Sequence, residues 1–321
     1  MKAFSRRRFG SPDLLLLDEI DKPSVGEDQA LIRVHASSIN AHDWHMLRGK
    51  PYLARLSEGL RTPKTREIGL DVAGVVEEVG SAVAHVKPGD RVFGSRFGAF
   101  AEYVSGKNMV PMPDGLSFEQ AAAVPTAGQT ALQALRDHGQ LRAGQHVLVN
   151  GAGGGVGTFA VQIAKALGAD VTAVTGTTNV GLMRSIGADD VLDYSRDDFT
   201  RGEKRYDVIV DIGGTPSLSR IRRVLRPNGR LVMVAPQPGQ WIGPVVRMGG
   251  AMLLSRLGGQ TLKGFLATVN REDLMALKEL IEAGKVTPVI DRSYPFDQIP
   301  DAIRYVESGK SHGKVTITFP G

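Results

Sequence analysis

Cysteine is missing from all 321 positions. Disulfides and every thiolate zinc site are therefore excluded, while the compartment is left open. Long apolar runs are missing too. No stretch approaches the roughly 20 residues that a membrane-spanning helix needs, so no integral membrane segment is expected. The opening Met1-Lys2-Ala3-Phe4-Ser5-Arg6-Arg7-Arg8 is basic, but only Leu14-Leu15-Leu16-Leu17 follows it, with no small-residue cleavage site. That argues against a secretory signal and for a cytoplasmic protein. Internal repeats and low-complexity tracts are absent. The net charge of +5 is small and spread out. It suits an anionic cofactor and gives little reason to expect a nucleic-acid partner.

What is present is an ordinary globular composition, 42% hydrophobic and 23% charged, in a chain long enough for two domains with cores. The richest stretch is Val149 to Ala169, VNGAGGGVGTFAVQIAKALGA. His146-Val147-Leu148-Val149 before it reads as a buried strand. Val156, Phe159, Ala160, Ile163, Ala164 and Leu167 after the glycines recur at helical spacing. Gly168 stops the helix, and Asp170 to Thr175 reads as a second strand. A strand, a glycine turn and a helix in this order make a phosphate site. Glycines let the backbone approach a ligand, and the helix N-terminus offers free N–H groups and partial positive charge. The pattern is Ala152-x-Gly154-x-x-Gly157, with Gly155 and Val156 between. Ala152 departs from the first glycine of the dinucleotide fingerprint.

The first third carries short strand signals at 30–36, 72–79 and 91–94, the last after the turn Lys87-Pro88-Gly89-Asp90. It reads as a compact, mostly β domain. Ser117-Phe118-Glu119-Gln120 has the form of a capping box that opens an alanine-rich helix, and Thr130 to Leu141 continues helical. From His146 strands at 146–150, 170–175, 190–193, 207–211 and 229–235 alternate with helices, which predicts a doubly wound parallel sheet. Gln237 to Gly264 reads as a partly helical cover, with an amphipathic membrane-surface segment as the rival. Glu272 to Glu282 is a helix, and the tail from Val286 returns to strand and turn signals. The fold class is α/β, with domains at 1–122 plus 271–321 and at 123–270.

The order of motifs resembles the medium-chain dehydrogenase/reductase superfamily, in its zinc-independent quinone oxidoreductase branch. The resemblance runs nearly end to end. It rests on Ser38-Ile39-Asn40-Ala41-His42-Asp43-Trp44, Gly69-Leu70-Asp71-Val72-Ala73-Gly74-Val75-Val76, Lys87-Pro88-Gly89-Asp90-Arg91-Val92 and Gly98-Ala99-Phe100-Ala101-Glu102-Tyr103. Gly128-Gln129-Thr130-Ala131, the glycine turn, Gly187-Ala188-Asp189, Gly284 to Ile290 and Gly313-Lys314-Val315 add to it. The resemblance implies a GroES-like substrate domain from both ends of the chain, an inserted Rossmann domain, an active site in the cleft, and a homodimer. Zinc-dependent relatives place a cysteine ligand near Asn40 and a histidine before an acid near Leu70-Asp71. Here there is no cysteine, and Leu70 stands where that histidine would be. A substitute metal site from His42, His45 and Asp43 is weighed and set below an ordinary polar loop.

The resemblance assigns Asn40 to orient substrate or the cofactor amide, Asp43 to brace the loop and ribose, and His45 to donate to the acceptor oxygen. Tyr52 is a further candidate donor. It also places Thr130 and Lys314 by the cofactor and Tyr194 at its adenosine end. Gly213, with Gly214, follows the strand ending Val210-Asp211 and fits a close backbone approach. About 20 residues past the glycines an acid would select NAD. Thr175-Gly176-Thr177-Thr178-Asn179 holds none, and its hydroxyls and amide can donate to a 2′-phosphate. NADPH is expected, with NADH as the alternative. Without zinc an alcohol is a poor substrate, whereas a quinone or an α,β-unsaturated carbonyl delocalises the incoming charge. Hydride transfer to such a small molecule is the expected function. The alternatives are a nucleotide-binding protein without turnover and an alcohol- or aldehyde-active dehydrogenase.

Overall fold

Two short strands, β1 (Lys2–Arg6) and β2 (Leu15–Glu19), pair antiparallel ahead of the ten-residue β3 (Ala30–Ile39). The computed structural model describes residues 1–320 apart from 51, 53, 54, 215, 235–248, 252–254 and 256–258. After β3 come α1 (Ala41–Arg48), α2 (Arg55–Glu58), β4 (Asp71–Val79), β5 (Arg91–Ser95), β6 (Tyr103–Gly106) and β7 (Met109–Pro111). The segment from Asn40 to Trp44, expected as a loop, is the first turn of α1. Asn40 stands in extended backbone ahead of it and donates its N–H to Asp43 Oδ2 at 2.7 Å, half of a capping box. Gly49, at φ +60°, closes the helix, and its N–H donates to His45 O and Met46 O.

The helix α3 (Phe118–Ala122) opens on the expected capping box, with Gln120 N donating to Ser117 Oγ and Ser117 N to Gln120 Oε1. Next, α4 (Pro125–Gln133) runs into one wide π-type turn over Ala134–His138. The helix therefore stops short of Leu141. Gly139 N caps Ala134 O, and Gln140 turns to φ +48°.

The parallel sheet then follows: β8 (His146–Asn150), α5 (Gly155–Ala166), β9 (Asp170–Thr175), α6 (Val180–Ser185), β10 (Asp190–Asp193), β11 (Tyr206–Asp211), α7 (Leu218–Val224), β12 (Leu225–Val234) and β13 (Thr261–Phe265). The spatial order is β10-β9-β8-β11-β12-β13, every neighbour parallel. This is the doubly wound order with its reversal beside β8. β11 and β12 begin before 207 and 229, because buried Tyr206 and Leu225 extend the apolar runs backward. The cover expected over 237–264 lies mostly outside the described residues. Its last part is instead sheet, since Leu262 and Phe265 bury themselves from β13 against β12.

The chain returns through α8 (Arg271–Glu282), β14 (Ile290–Pro295), α9 (Ile299–Glu307) and β15 (Lys314–Thr318). The helix α9 was not expected in the tail, although Ile299, Ala302 and Ile303 keep helical spacing and are fully buried. β15 runs parallel to β14 and antiparallel to β3, with Val315 opposite Ile39. The resulting sheet is β14-β15-β3-β4-β5-β7, with β6 also on β3.

Two compact units result: Met1–Ala127 with Val269–Glu282 and Pro288–Gly321, and Gly128–Thr268 with Ala283–Thr287. In the first, one core gathers Phe4, Ile39, Leu47, Phe100 and Phe296 below α1 and α9, and a second lies among the valines of β3 to β5. The second unit packs Leu148, Ile209, Leu231, Ile221 and Leu262 into one core. No helix among the described residues is long and apolar enough to cross a membrane.

Candidate active site

In the second unit the turn from β8 into α5 is built so that backbone faces outward. Gly151 takes φ +87°, and Gly151 and Ala152 both donate N–H to Val174 O. Ala152 is fully buried, so its methyl points into the unit and leaves the outer face of the turn bare. Gly154 forms the N-cap of α5, and a Cβ there would meet nothing closer than 3.9 Å. Gly155, Val156 and Gly157 supply the first helical N–H groups, which have no partner within the helix. A Cβ at Gly157 would stand 2.4 Å from Gly151 O and 2.5 Å from Ala152 O. Both are backbone atoms and neither can rotate away. Gly157→Ala is therefore expected to open the turn, with about tenfold or greater loss of nicotinamide-nucleotide affinity by calorimetry and a lower melting temperature. Unchanged affinity would show that the turn does not hold the phosphates.

At Gly153 a Cβ would strike Asn179 Nδ2 at 2.3 Å and Thr175 Oγ1 at 2.6 Å. The turn and the end of β9 thus close on each other, with Thr175 and Asn179 buried and Thr177 and Thr178 exposed. Tyr194 is largely exposed, and its hydroxyl lies 3.0 Å from where a Cβ of Gly176 would be. Between β8 and β11, Asn150 Nδ2 and Gly214 N both donate to Asp211 Oδ1, and Gly213 N donates to Asn150 O. Thr130 is buried on α4.

One acid in this region comes into place only through strand pairing. The parallel register sets Asp193, the last residue of β10, opposite Thr175. Asp193 Oδ2 accepts from Thr177 Oγ1 at 2.5 Å, and Oδ1 accepts from Ser195 N and Oγ. These hydrogen bonds hold its carboxyl below the usual range. The Thr177 hydroxyl is thus engaged by a carboxylate of its own chain. Asp193 lies at a strand end called from sequence, and pairing that strand with 170–175 would have found it.

In the first unit the functional candidates meet in a buried polar network. Asp71, at the start of β4, is fully buried. Its Oδ2 accepts from Ser38 Oγ at 2.8 Å, Asn40 Nδ2 at 2.9 Å and Lys314 Nζ at 3.4 Å. Its Oδ1 accepts from Ser95 Oγ at 3.0 Å, Thr126 N at 2.9 Å and Thr126 Oγ1 at 2.5 Å. Lys314, 3% exposed on β15, spends its remaining N–H bonds on Asn40 Oδ1 at 2.7 Å and Ile39 O at 3.3 Å. Burial pushes its ammonium below the ordinary lysine range, and Asp71 and Asp43 pull it back up. Both ends of the Asn40 amide are thereby tied to the chain's own groups.

Asp43 sits beside this network, 2% exposed. Its Oδ2 takes the Asn40 N–H, while Oδ1 makes no hydrogen bond of good geometry. Burial pushes its carboxyl up to about 7, against the Asn40 and Gly69 backbone and Lys314, with Asp71 adding to the rise. The His45 ring stacks on Trp44 at 3.6 Å, and burial brings it down to about 4. It is a neutral imidazole at pH 7, a hydrogen-bond donor and not a charged acid. His42 packs edge-on against Phe97, and burial lowers it as well. The Arg55 guanidinium covers the Tyr52 ring at 4.9 Å.

The family models that match are the Alcohol dehydrogenase GroES-like domain over residues 26–114 and the Zinc-binding dehydrogenase over residues 186–317. A "2-methylene-furan-3-one reductase" of Solanum lycopersicum is 35% identical over 99% of this chain and 79% of its own. The chain belongs to the medium-chain dehydrogenase/reductase superfamily, in its zinc-independent quinone oxidoreductase-like branch. An Arabidopsis thaliana "NADPH-dependent alkenal/one oxidoreductase, chloroplastic" is 33% identical over 99% of this chain and 79% of its own. The solved quinone oxidoreductase from Coxiella burnetii superposes at a TM-score of 0.85, with 29% identity and 99% of both chains covered. The Escherichia coli quinone oxidoreductase complexed with NADPH superposes at 0.84, with 26% identity over 99% of this chain and 100% of its own.

For this member of the superfamily the glycine turn fits a nicotinamide dinucleotide. The turn is held tight by Gly153 and Gly157, where a Cβ would strike the chain's own atoms, and is open at Gly154, where a Cβ would meet nothing closer than 3.9 Å, as it leads into a helix N-terminus with unpartnered N–H groups. A zinc ion does not fit. The chain has no cysteine, Leu70 precedes Asp71, and no group of three metal-ligating side chains forms among the described residues.

Proposed function

We propose that this reductase uses NADPH to reduce quinones or α,β-unsaturated carbonyl compounds. The observation that carries the reading is the glycine cradle opening α5. The relatives named as acting on alkenals, enones and quinones give the acceptor class. NADPH bound there would supply a hydride. The chain's part is to hold the dinucleotide by the N–H groups of Gly155, Val156 and Gly157, with Ala152, Gly154 and Gly213 leaving the backbone bare. Thr175, Thr177, Thr178, Asn179 and Tyr194 form the adenosine end. In the first unit, His45 offers a neutral N–H to an acceptor oxygen. Asn40, gripped by Lys314 and Asp71, holds the start of α1 in place. Lys314 thus supports the site from within the network, and Thr130 lies on the cofactor side. A homodimer in the cytoplasm completes the proposal. Relatives are named as mitochondrial and chloroplastic, so fractionation decides the compartment and sedimentation the assembly.

NADPH oxidation in the presence of 9,10-phenanthrenequinone or a simple enone tests the reading. Turnover with NADPH faster than with NADH is expected. Tight binding without oxidation of any acceptor would overturn it in favour of a binding protein. Asp193 favours a second reading, dual cofactor use, because its carboxylate holds the Thr177 hydroxyl. Asp193→Asn is expected to improve kcat/KM for NADPH over NADH about five- to tenfold. That is the ~1 kcal/mol of one unit charge at about 4 Å through water. An unchanged ratio would place the 2′-phosphate away from Asp193.

A further inference from the structure

Charge does not balance in the buried network beside α1. It holds one cation, Lys314, and two carboxyls, Asp71 and Asp43, all nearly or fully out of solvent. One carboxyl must carry a proton, since an uncompensated buried charge is far costlier than a neutral acid. The hydrogen bonds say which. Both oxygens of Asp71 are crowded with donors from β3, β5, α4 and β15, the Lys314 ammonium among them. That is the surrounding of a carboxylate. Asp43 takes the Asn40 N–H on Oδ2 with the Gly69 backbone also facing its carboxyl, and its Oδ1, which makes no hydrogen bond of good geometry, is free to be an O–H.

We infer that Asp43 is kept protonated on Oδ1 in the resting protein. The oxygen that carries the proton is buried and makes no hydrogen bond of good geometry within the chain. The ionisable groups facing Asp43 are Asp71 from β4 and Lys314 from β15. On its own helix, His42 and His45 are both held neutral by burial.

The proton's place is tested without cofactor by infrared spectroscopy of the full chain. At pH about 6 the parent should show a protonated-carboxyl C=O band that shifts in D2O and fades as pH rises through about 7. The band should be missing from Asp43→Asn. A parent without the band, or a variant that keeps it, overturns the inference. Asparagine copies the shape of the protonated acid, so the variant should fold, and near pH 4, where the parent's Asp43 is protonated in both folded and unfolded chains, it should melt like the parent.

Discussion

Lys314→Met is expected to cost the protein about 3–5 kcal/mol of stability, the usual penalty for stranding one member of a buried ion pair. Methionine keeps much of the length of the stem but donates nothing. Asp71 then loses its only cationic partner among the described residues, and Asn40 Oδ1 and Ile39 O each lose a donor. Urea denaturation followed by circular dichroism measures the loss. Adding Asp71→Asn removes the stranded charge and is expected to recover part of it, giving a coupling of roughly 2 kcal/mol in the double-mutant cycle. A single variant within about 1 kcal/mol of the parent would show that the pair carries little. Alanine or methionine at exposed Arg304 or Asp13, paired at the surface, should move stability by less than about 1 kcal/mol.

The second large effect is on how stability depends on pH. Asp43 titrates at about 7 in the folded protein against an ordinary 3.8. Between those values the native state holds a proton that the unfolded chain has released, so stability falls as pH rises. The contribution is full below about pH 4, is lost through about pH 7, and changes no further above it. Three pKa units amount to ~4 kcal/mol. Asp43→Asn cannot ionise and lacks this slope. The stability of the variant minus that of the parent should grow from pH 4 to pH 7 and then level off. A difference that stays flat with pH would mean that Asp43 is ionised in the folded state throughout. Surface acids such as Asp13, Asp18 and Asp198, held below their usual range by hydrogen bonds and arginines, tilt stability the other way. They do so equally in both proteins and cancel in the difference.

The parallel sheet and the glycine turn were legible in the sequence because their signals are local. An apolar run such as Val147-Leu148-Val149, a turn that only glycine can make and a helical stripe from Val156 to Leu167 each speak within a few residues. The helix at 41–48 was missed because its exposed face is polar and its core contact narrows to Leu47. The cap at Asn40 and Asp43 was the remaining clue. The helix at 299–307 was legible at Ile299, Ala302 and Ile303, but its apolar stripe is short and lies between two strands. Asn40 and Asp43 were singled out from sequence, yet their setting was not legible. The donors to Asp71 come from positions 38, 40, 95, 126 and 314, on elements that only the tertiary fold brings together. Asp193 needed strand register, which residue types alone do not give.

The pairing of β15 with β3 also sets a timetable for synthesis. Lys314 and Ile39 touch across 275 residues of chain. At about 5–20 residues per second, a ribosome needs roughly 15–55 s to supply the later partner after the earlier one has emerged. Through that interval the segment Ala36–Ile39 has an unfilled strand edge, and Asp71 waits without its cation. The nucleotide-binding unit, nearly continuous from Gly128 to Thr268, has most of its sequence available sooner. The nascent chain therefore passes through a stage with one unit able to close and the other held open. During that stage the exposed edge of β3 is the place where two unfinished copies would meet.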